Sequence, residues 1–210
     1  MKLHSRALGR RQLTVLRRLG PFLDTSPFYL AGGTALALQL GHRRSIDLDW
    51  FSERPLADPL GLASEIEGSG VPLEIAGVER GTLHARAAGV RLSFLEYRYP
   101  LLRPLAATRL PGVRLASLED IAAMKLAAVA QRGSRKDFVD VFALGGVLPL
   151  DEMLTLYRRK YGVRDVGHVL VALAYFDDAE DERMPAMLRR WSWMDIRRTI
   201  QRWISEMVAR

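Results

Sequence analysis

Two short runs of residues have the types and spacing for phosphate chemistry. The first is Gly32-Gly33-Thr34, and the second, after twelve intervening residues, is Asp47-Leu48-Asp49. Phe28-Tyr29-Leu30 reads as a short strand ahead of the glycines. Ala35 to Leu40 is a run of strong helix formers behind them, with Thr34 at the expected N-cap. A strand, a glycine turn and a helix start bring free backbone N–H groups and the positive end of a helix dipole to one point. Gly33 lets a phosphate approach the backbone closely, and the Thr34 hydroxyl is expected to donate to it. Ile46 to Phe51 alternates like a strand, so Asp47 and Asp49 are predicted to share one face while Ile46, Leu48 and Trp50 point into the core. Two neighbouring carboxylates repel each other unless a cation neutralises them. Hard oxygen ligands select Mg2+ or Mn2+, and Mg2+ typically takes one or two carboxylates together with substrate phosphates. Alone, an Asp-x-Asp is an ordinary solvated strand face and a Gly-Gly-Thr a plain turn. In this order and spacing, they point to a single bound nucleoside triphosphate.

The elements around these runs fall into two halves. Residues 5–20 read as a basic amphipathic helix, and Pro21 and Pro27 punctuate the segment after it. Gly41 ends the helix after the glycine turn, residues 58–67 form another helix, and strands are expected near 71–78, 82–87 and 90–97. From Ser117 onward the pattern is almost wholly helical. Ser117 with Glu119 and Asp120 makes a capped start for a helix running to about residue 130, and Gly133-Ser134 breaks it. Further helices are predicted over 135–144, 149–161, 164–176 and 191–208, with the acidic run 177–182 in a connection. The Pro/Gly-containing stretch 104–116 is the natural boundary, giving an α/β domain over 1–112 and a helical domain over 113–210 that completes an active-site cleft.

Composition narrows the partner. The 210 residues carry no cysteine, which excludes disulfides, thiolate nucleophiles and Cys-ligated zinc. The formal charge of +7 suggests a polyanionic partner. Of 31 basic residues only Lys2, Lys125, Lys136 and Lys160 are lysine. No apolar stretch reaches the ~20 residues a spanning helix needs, and Met1 to Arg6 shows no export signal, so a cytoplasmic protein without membrane contact is expected. The histidines His4, His42, His84 and His168 are scattered without metal-ligand spacing; His42 lies between the two motif runs, where it is a candidate substrate contact. Trp50, Trp191, Trp193 and Trp203 have the spacing of core residues.

The Gly-Gly-Thr turn followed by Asp-x-Asp is the signature of polymerase-β-like nucleotidyltransferases. The longer string from Tyr29 to Phe51, with Val90 to Pro100, Leu118 to Leu144 and Tyr175 to Glu180, resembles one branch, the AbiEii/AbiGii toxins of type IV toxin–antitoxin (abortive-infection) systems. The resemblance implies an α+β (α/β) fold, a nucleotidyltransferase domain with a mixed sheet followed by a C-terminal helical bundle. It implies Mg2+ or Mn2+ on Asp47 and Asp49, an NTP held at Gly32, Gly33 and Thr34, and transfer of NMP to an acceptor hydroxyl. Relatives modify the tRNA 3′ end, so RNA is the expected acceptor. A cognate antitoxin is the expected partner, with no direct complex implied.

Lys125, Val129 and Arg132 fall on one helical stripe, and Arg135-Lys136-Asp137 opens the next helix with Asp140 one turn on. Surface ion pairs of little energetic weight are the plain alternative for these residues. In a chain that prefers arginine, a retained Lys125 suggests a compact ammonium used as a point charge. The resemblance assigns function to Lys125 and Asp137, with Arg132, Lys136 and Asp140 beside them, as ligands of the nucleotide and catalytic groups. Such enzymes commonly carry a third carboxylate on a neighbouring strand. Glu96 is the candidate here, as metal ligand or general base, or else a plain strand residue; Asp137 or a substrate-bound water is then the alternative base. Two other readings remain: a small-molecule, aminoglycoside-type nucleotidyltransferase, and a catalytically silent nucleotide- or RNA-binding module. The basic second half argues against the first and the intact Asp pair against the second.

Overall fold

The structure is a computed structural model that describes residues 3–209. Met1, Lys2 and Arg210 lie outside it, and with them part of the N-terminal stretch read for an export signal and one of the four lysines. The chain divides into two compact units. The first runs to Pro100 and resumes over Pro104–Ala116; the second comprises Leu101–Arg103 and the chain from Ser117.

The first unit is built on a mixed sheet of β1 (Tyr29–Leu30), β2 (Asp47–Ser52), β3 (Glu74–Glu79), β4 (Thr82–Ala87), β5 (Val90–Glu96), β6 (Ala106–Ala107) and β7 (Arg114–Leu115). Their spatial order is β3-β4-β5-β2-β1-β7-β6. The pairs β2/β5 and β1/β7 are parallel and the others antiparallel. Leu48 and Trp50 of β2, Leu83 and Ala85 of β4, and Leu92 and Phe94 of β5 are buried, while the residues between them are half-buried or exposed. One face therefore builds the core, where Phe94 lies near Trp50 and edge-on to Phe22 and Phe28. The other face carries the polar side chains. Ile46 departs from the expected inward direction: it precedes β2 and is 68% exposed.

Among the described residues this unit has a short 3-10 turn at Ser5–Ala7 and three α-helices, α1 (Arg10–Thr25), α2 (Gly32–Leu40) and α3 (Pro59–Gly68). Pro21 does not end α1 but lies within it. Asp58 caps α3 by accepting from the Gly61 amide, and Gly41 closes α2 in the left-handed conformation. The stretch 104–116, expected to be a boundary, is stitched onto the sheet as β6 and β7. Leu115 sits beside Leu30, and the Gln39 side chain donates to the Ala116 carbonyl at 3.0 Å.

The second unit is helical: α4 (Leu118–Arg132), α5 (Arg135–Gly145), α6 (Leu150–Tyr161), α7 (Gly167–Ala174), a single-turn α8 (Asp177–Glu180) and α9 (Trp193–Val208). The central α4 packs on α5, α6 and α7. Trp191, Trp193 and Trp203 are half-buried and pack in two ring groups, Trp193 with Phe138 and Phe176, and Trp191 and Trp203 with Phe142. The acidic run is not a loose connection. Glu180 accepts from Trp193 Nε1 and pairs with Arg197, and Glu182 accepts from the Arg135 amide. Lys160 is wholly buried on Asp120 at 2.7 Å, and Asp120 also accepts from the Leu102 and Arg103 amides and Ser117 Oγ. That cluster ties Leu101–Arg103 to this unit. Among the described residues, no helix is long and apolar enough to cross a membrane.

Gly112 has φ +71°, and a Cβ there would lie 2.2 Å from the Gly20 carbonyl oxygen, a backbone atom that cannot swing away. Gly112→Ala is therefore expected to lose about 2 kcal/mol or more in urea unfolding, through strain and overpacking together.

Candidate active site

The first unit places its polar groups through the junction of α2 with β2. The helix begins three residues earlier than expected. Ala31 is the N-cap and supplies no side-chain cap, Gly32 opens the helix, and Thr34 is its third residue. Gly32 takes φ +62°, the left-handed region that the tight strand-to-helix turn demands and that glycine adopts without a Cβ penalty. A Cβ at Gly32 would stand 3.6 Å from Asp49 Oδ2, so the Asp49 carboxylate lies against the helix start. There the exposed amides and the dipole favour negative charge. Thr34 is buried. Its hydroxyl donates to the Asp47 carbonyl and lies 2.7 Å from Ser45 Oγ. The expected donation from Thr34 to a phosphate is thus replaced by a clamp on the start of β2. From the other side, the Ala31 amide donates to the Asp49 carbonyl at 3.1 Å. The amides of Gly32 and Gly33 remain as the helix's leading donors.

Asp47 and Asp49 share the polar face of β2, as the alternation predicts, and both are half-buried. Arg91, directly opposite Asp47 on β5, donates from Nε to Asp47 Oδ1 at 2.6 Å. Glu96 is not brought to this pair. The β2/β5 register sets it opposite Ser52, on the face of Leu48 and Trp50 rather than that of the aspartates. Its carboxylate accepts from the Leu56 amide at 2.8 Å and pairs with Arg98 at 2.5 Å. Those bonds, the Leu56 amide first, hold its pKa below the ordinary value. Among the described residues, no three His, Asp or Glu side chains form a metal-binding group. His42, placed between the motif runs, is buried rather than presented to a substrate.

The second unit gathers the other predicted residues. Lys125 Nζ lies 3.0 Å from Asp137 Oδ1 and 2.6 Å from Asp140 Oδ2, and both aspartates are fully buried. Arg132, more than half exposed, makes a two-pronged contact with Asp137 through Nε at 2.7 Å and Nη2 at 3.1 Å. Ser134 Oγ donates to Asp137 at 2.6 Å. Burial pushes the Asp137 carboxyl up, but the Lys125 charge and the Arg132 and Ser134 hydrogen bonds outweigh it and bring the pKa down to about 2. Lys136 is exposed, and Arg135 is turned inward onto the Ala179 carbonyl and the Trp193 ring. The helical stripe of Lys125 and Arg132 is legible from spacing. Ser134 carries a fainter signal, the Ser-x-x-Asp capping spacing at a helix start. Arg91, Ser93 and His84 of the polar face become visible only once strand register is known.

A carboxyl whose folded-state pKa is depressed adds stability above its unfolded value and loses it as pH falls through the folded one. For Asp137 the window runs from the ordinary 3.8 down to about 2. The contribution is about 2 kcal/mol. Asp137→Asn is expected to flatten the stability curve across that window in urea titrations. At neutral pH it is expected to cost about 3 kcal/mol, because Lys125 then faces one buried anion instead of two.

The AbiEii model, described as a nucleotidyl transferase toxin of type IV toxin–antitoxin systems, matches residues 14–200. An uncharacterized protein of Aquifex aeolicus, aq_aa25, is 36% identical over 186 residues, covering 84% of this chain and 87% of that protein. Among solved structures, the nucleotidyltransferase toxin MenT4 of Mycobacterium tuberculosis superposes with a TM-score of 0.63 at 16% identity, covering 92% of this chain and 82% of that one. The antibiotic-resistance factor ANT(2'')-Ia superposes with a TM-score of 0.55 at 16% identity, over 72% of this chain and 94% of that one. The last two likenesses are of fold, and the mixed sheet with its helices is the architecture expected of a nucleotidyltransferase. The chain belongs to the AbiEii nucleotidyl transferase toxin family, and it is a nucleotidyltransferase.

Proposed function

We propose that this chain moves a nucleoside monophosphate from an NTP to a hydroxyl of an RNA, with a tRNA 3′ end as the first acceptor to test. The observation that carries this reading is the Asp47–Asp49 pair beside the bare N-terminus of α2. The donor set fits a hard divalent cation: two carboxylates on one strand face, half-accessible, one of them already drawing a guanidinium. Asp47 and Asp49 would hold Mg2+ or Mn2+. When bound, the ion supplies Lewis-acid stabilisation of charge on the phosphoryl oxygens. The Gly32 and Gly33 amides hold phosphate oxygens, and the helix dipole adds to their pull. Thr34 holds the backbone at Asp47, Arg91 holds its carboxylate, and the Asp49 carboxylate lies beside Gly32, so the pair is pre-positioned and loses little freedom when a nucleotide binds.

The second unit carries its own exposed cations. Arg132 and Lys136 are the exposed members of the cluster and neutralise polyphosphate or RNA backbone. Lys125, itself paired with Asp140, acts beneath them by fixing Asp137, which in turn aims Arg132. Asp137 itself is a poor base: its carboxylate is engaged by three donors and held at a pKa of about 2. The +7 charge supports a polyanionic acceptor. The same charge disfavours a cationic drug acceptor, and within the acidic run 177–182 such an acceptor would need, Glu180 and Glu182 are already engaged by Arg197, Trp193 and Arg135. The type IV family supports a cognate antitoxin as the genetic partner, and on this reading the toxin works in the cytoplasm with its RNA.

The test is incubation with Mg2+, each labelled NTP in turn, and total tRNA. Label is expected on RNA from at least one NTP, with Asp47→Ala and Asp49→Ala each reducing the rate by about a thousandfold, as loss of several kcal/mol of transition-state stabilisation requires. No transfer from any NTP, or transfer undiminished in both variants, overturns the proposal.

A further inference from the structure

The strand register defines a row of side chains next to the aspartates. Asp49 of β2 sits opposite Ser93 of β5, Ser93 opposite His84 of β4, and His84 opposite Gly77 of β3. Register partners lie about 4.8 Å apart and point to the same side, so the row shares the polar face of Asp47 and Asp49. His84 Nδ1 is 3.2 Å from Ser93 Oγ. The β3/β4 ladder breaks between Ile75 and Gly77, the glycine leaves no side chain beside the imidazole, and His84 is half-buried. The same face carries Arg86 and Arg91, the latter on Asp47.

We propose that Ser93 and His84 form the proton-accepting pair of the transfer reaction, doing the work for which a third carboxylate was expected. This role rests on the nucleotidyl-transfer reading above. Glu96 is on the opposite face and Asp137 is fully engaged, so neither receives the proton of an attacking hydroxyl. Ser93, next to Asp49, is the catalytic residue, and His84 acts through it. As the acceptor oxygen bonds to the α-phosphorus and the bond to pyrophosphate breaks, the acceptor proton passes to Ser93 Oγ. The Ser93 proton passes to His84 Nδ1, and the imidazolium then releases a proton to water.

The experiment compares wild type, His84→Gln, Ser93→Ala, Ser93→Asp and the double variant His84→Gln/Ser93→Asp, in labelled transfer and in Mn2+ binding followed by electron paramagnetic resonance. His84→Gln and Ser93→Ala are expected to lower kcat by about a hundredfold, the typical worth of a positioned proton acceptor, with KM for the NTP little changed. Ser93→Asp installs a carboxylate beside Asp49, so it should make His84 dispensable. In that background His84→Gln should cost less than about threefold, a rescue that a merely structural role for His84 does not give. Independently of turnover, Ser93→Asp should tighten Mn2+ binding about tenfold, while His84→Gln and Ser93→Ala leave it unchanged. If wild type transfers label but His84→Gln and Ser93→Ala retain its kcat, the pair is overturned and the transfer reading stands. Equal loss from His84→Gln in both backgrounds also overturns it. Absence of transfer by wild type overturns both.

Discussion

Two like charges on one face of one strand are unfavourable neighbours, and the first unit is organised around keeping Asp47 and Asp49 there. Three opposing supports act on them. The start of α2 lies against Asp49, with amides and dipole of the right sign; Arg91 covers Asp47; and the backbone of β2 is held by Thr34 and the Ala31 amide. These supports link the helix, its strand and the parallel neighbour β5 through the charge pair. Gly32 makes this arrangement possible, because only a residue tolerant of positive φ turns β1 into α2 this close to a carboxylate.

The second unit solves a related problem in a dry setting. Asp137, Asp140, Asp120, Lys125 and Lys160 are all buried, and an ion left alone there would be costly. Asp120 and Asp137 are each satisfied by both charge and hydrogen bonds: Asp120 by Lys160, Ser117 and two amides, Asp137 by Lys125, Arg132 and Ser134. The scarcity of lysine has a physical sense in this light. Lys125 and Lys160 are both buried against carboxylates, where a compact ammonium fits and a planar guanidinium needs more room. At Arg132, where the cation reaches solvent, arginine is used.

Much of this was readable before the structure. Periodicity placed β2, β4, β5 and the helices α4, α5, α6 and α9 within about two residues, whereas α1, expected over 5–20, runs over Arg10–Thr25; the Gly-Gly-Thr and Asp-x-Asp runs do meet at the α2–β2 junction. What escaped the sequence depends on partners distant in the chain. Thr34 looked like a cap because residue type suits that position, but the helix started earlier and its hydroxyl found Asp47 instead. Glu96 looked like a third acid because it lies on the right strand; the parallel register, which no local pattern reports, turned it to the other face and brought Ser93 beside Asp49. Pro21 looked like a stop, yet a helix with enough tertiary burial on its other side chains tolerates one missing amide. The stretch 104–116 reads as a boundary, and its strands escape notice because two residues leave no alternation to detect.

The margins of the sheet carry a consequence of their own. At one end β6 is only two residues long. At the other, β3 is broken in register between Ile75 and Gly77 and bears Glu74 and Glu79. A strand from a second molecule would find too few unpaired amides on the one side, and a kinked ladder flanked by negative charge on the other. Both margins are thus poorer templates for edge-to-edge addition than a long, regular and uncharged strand would be.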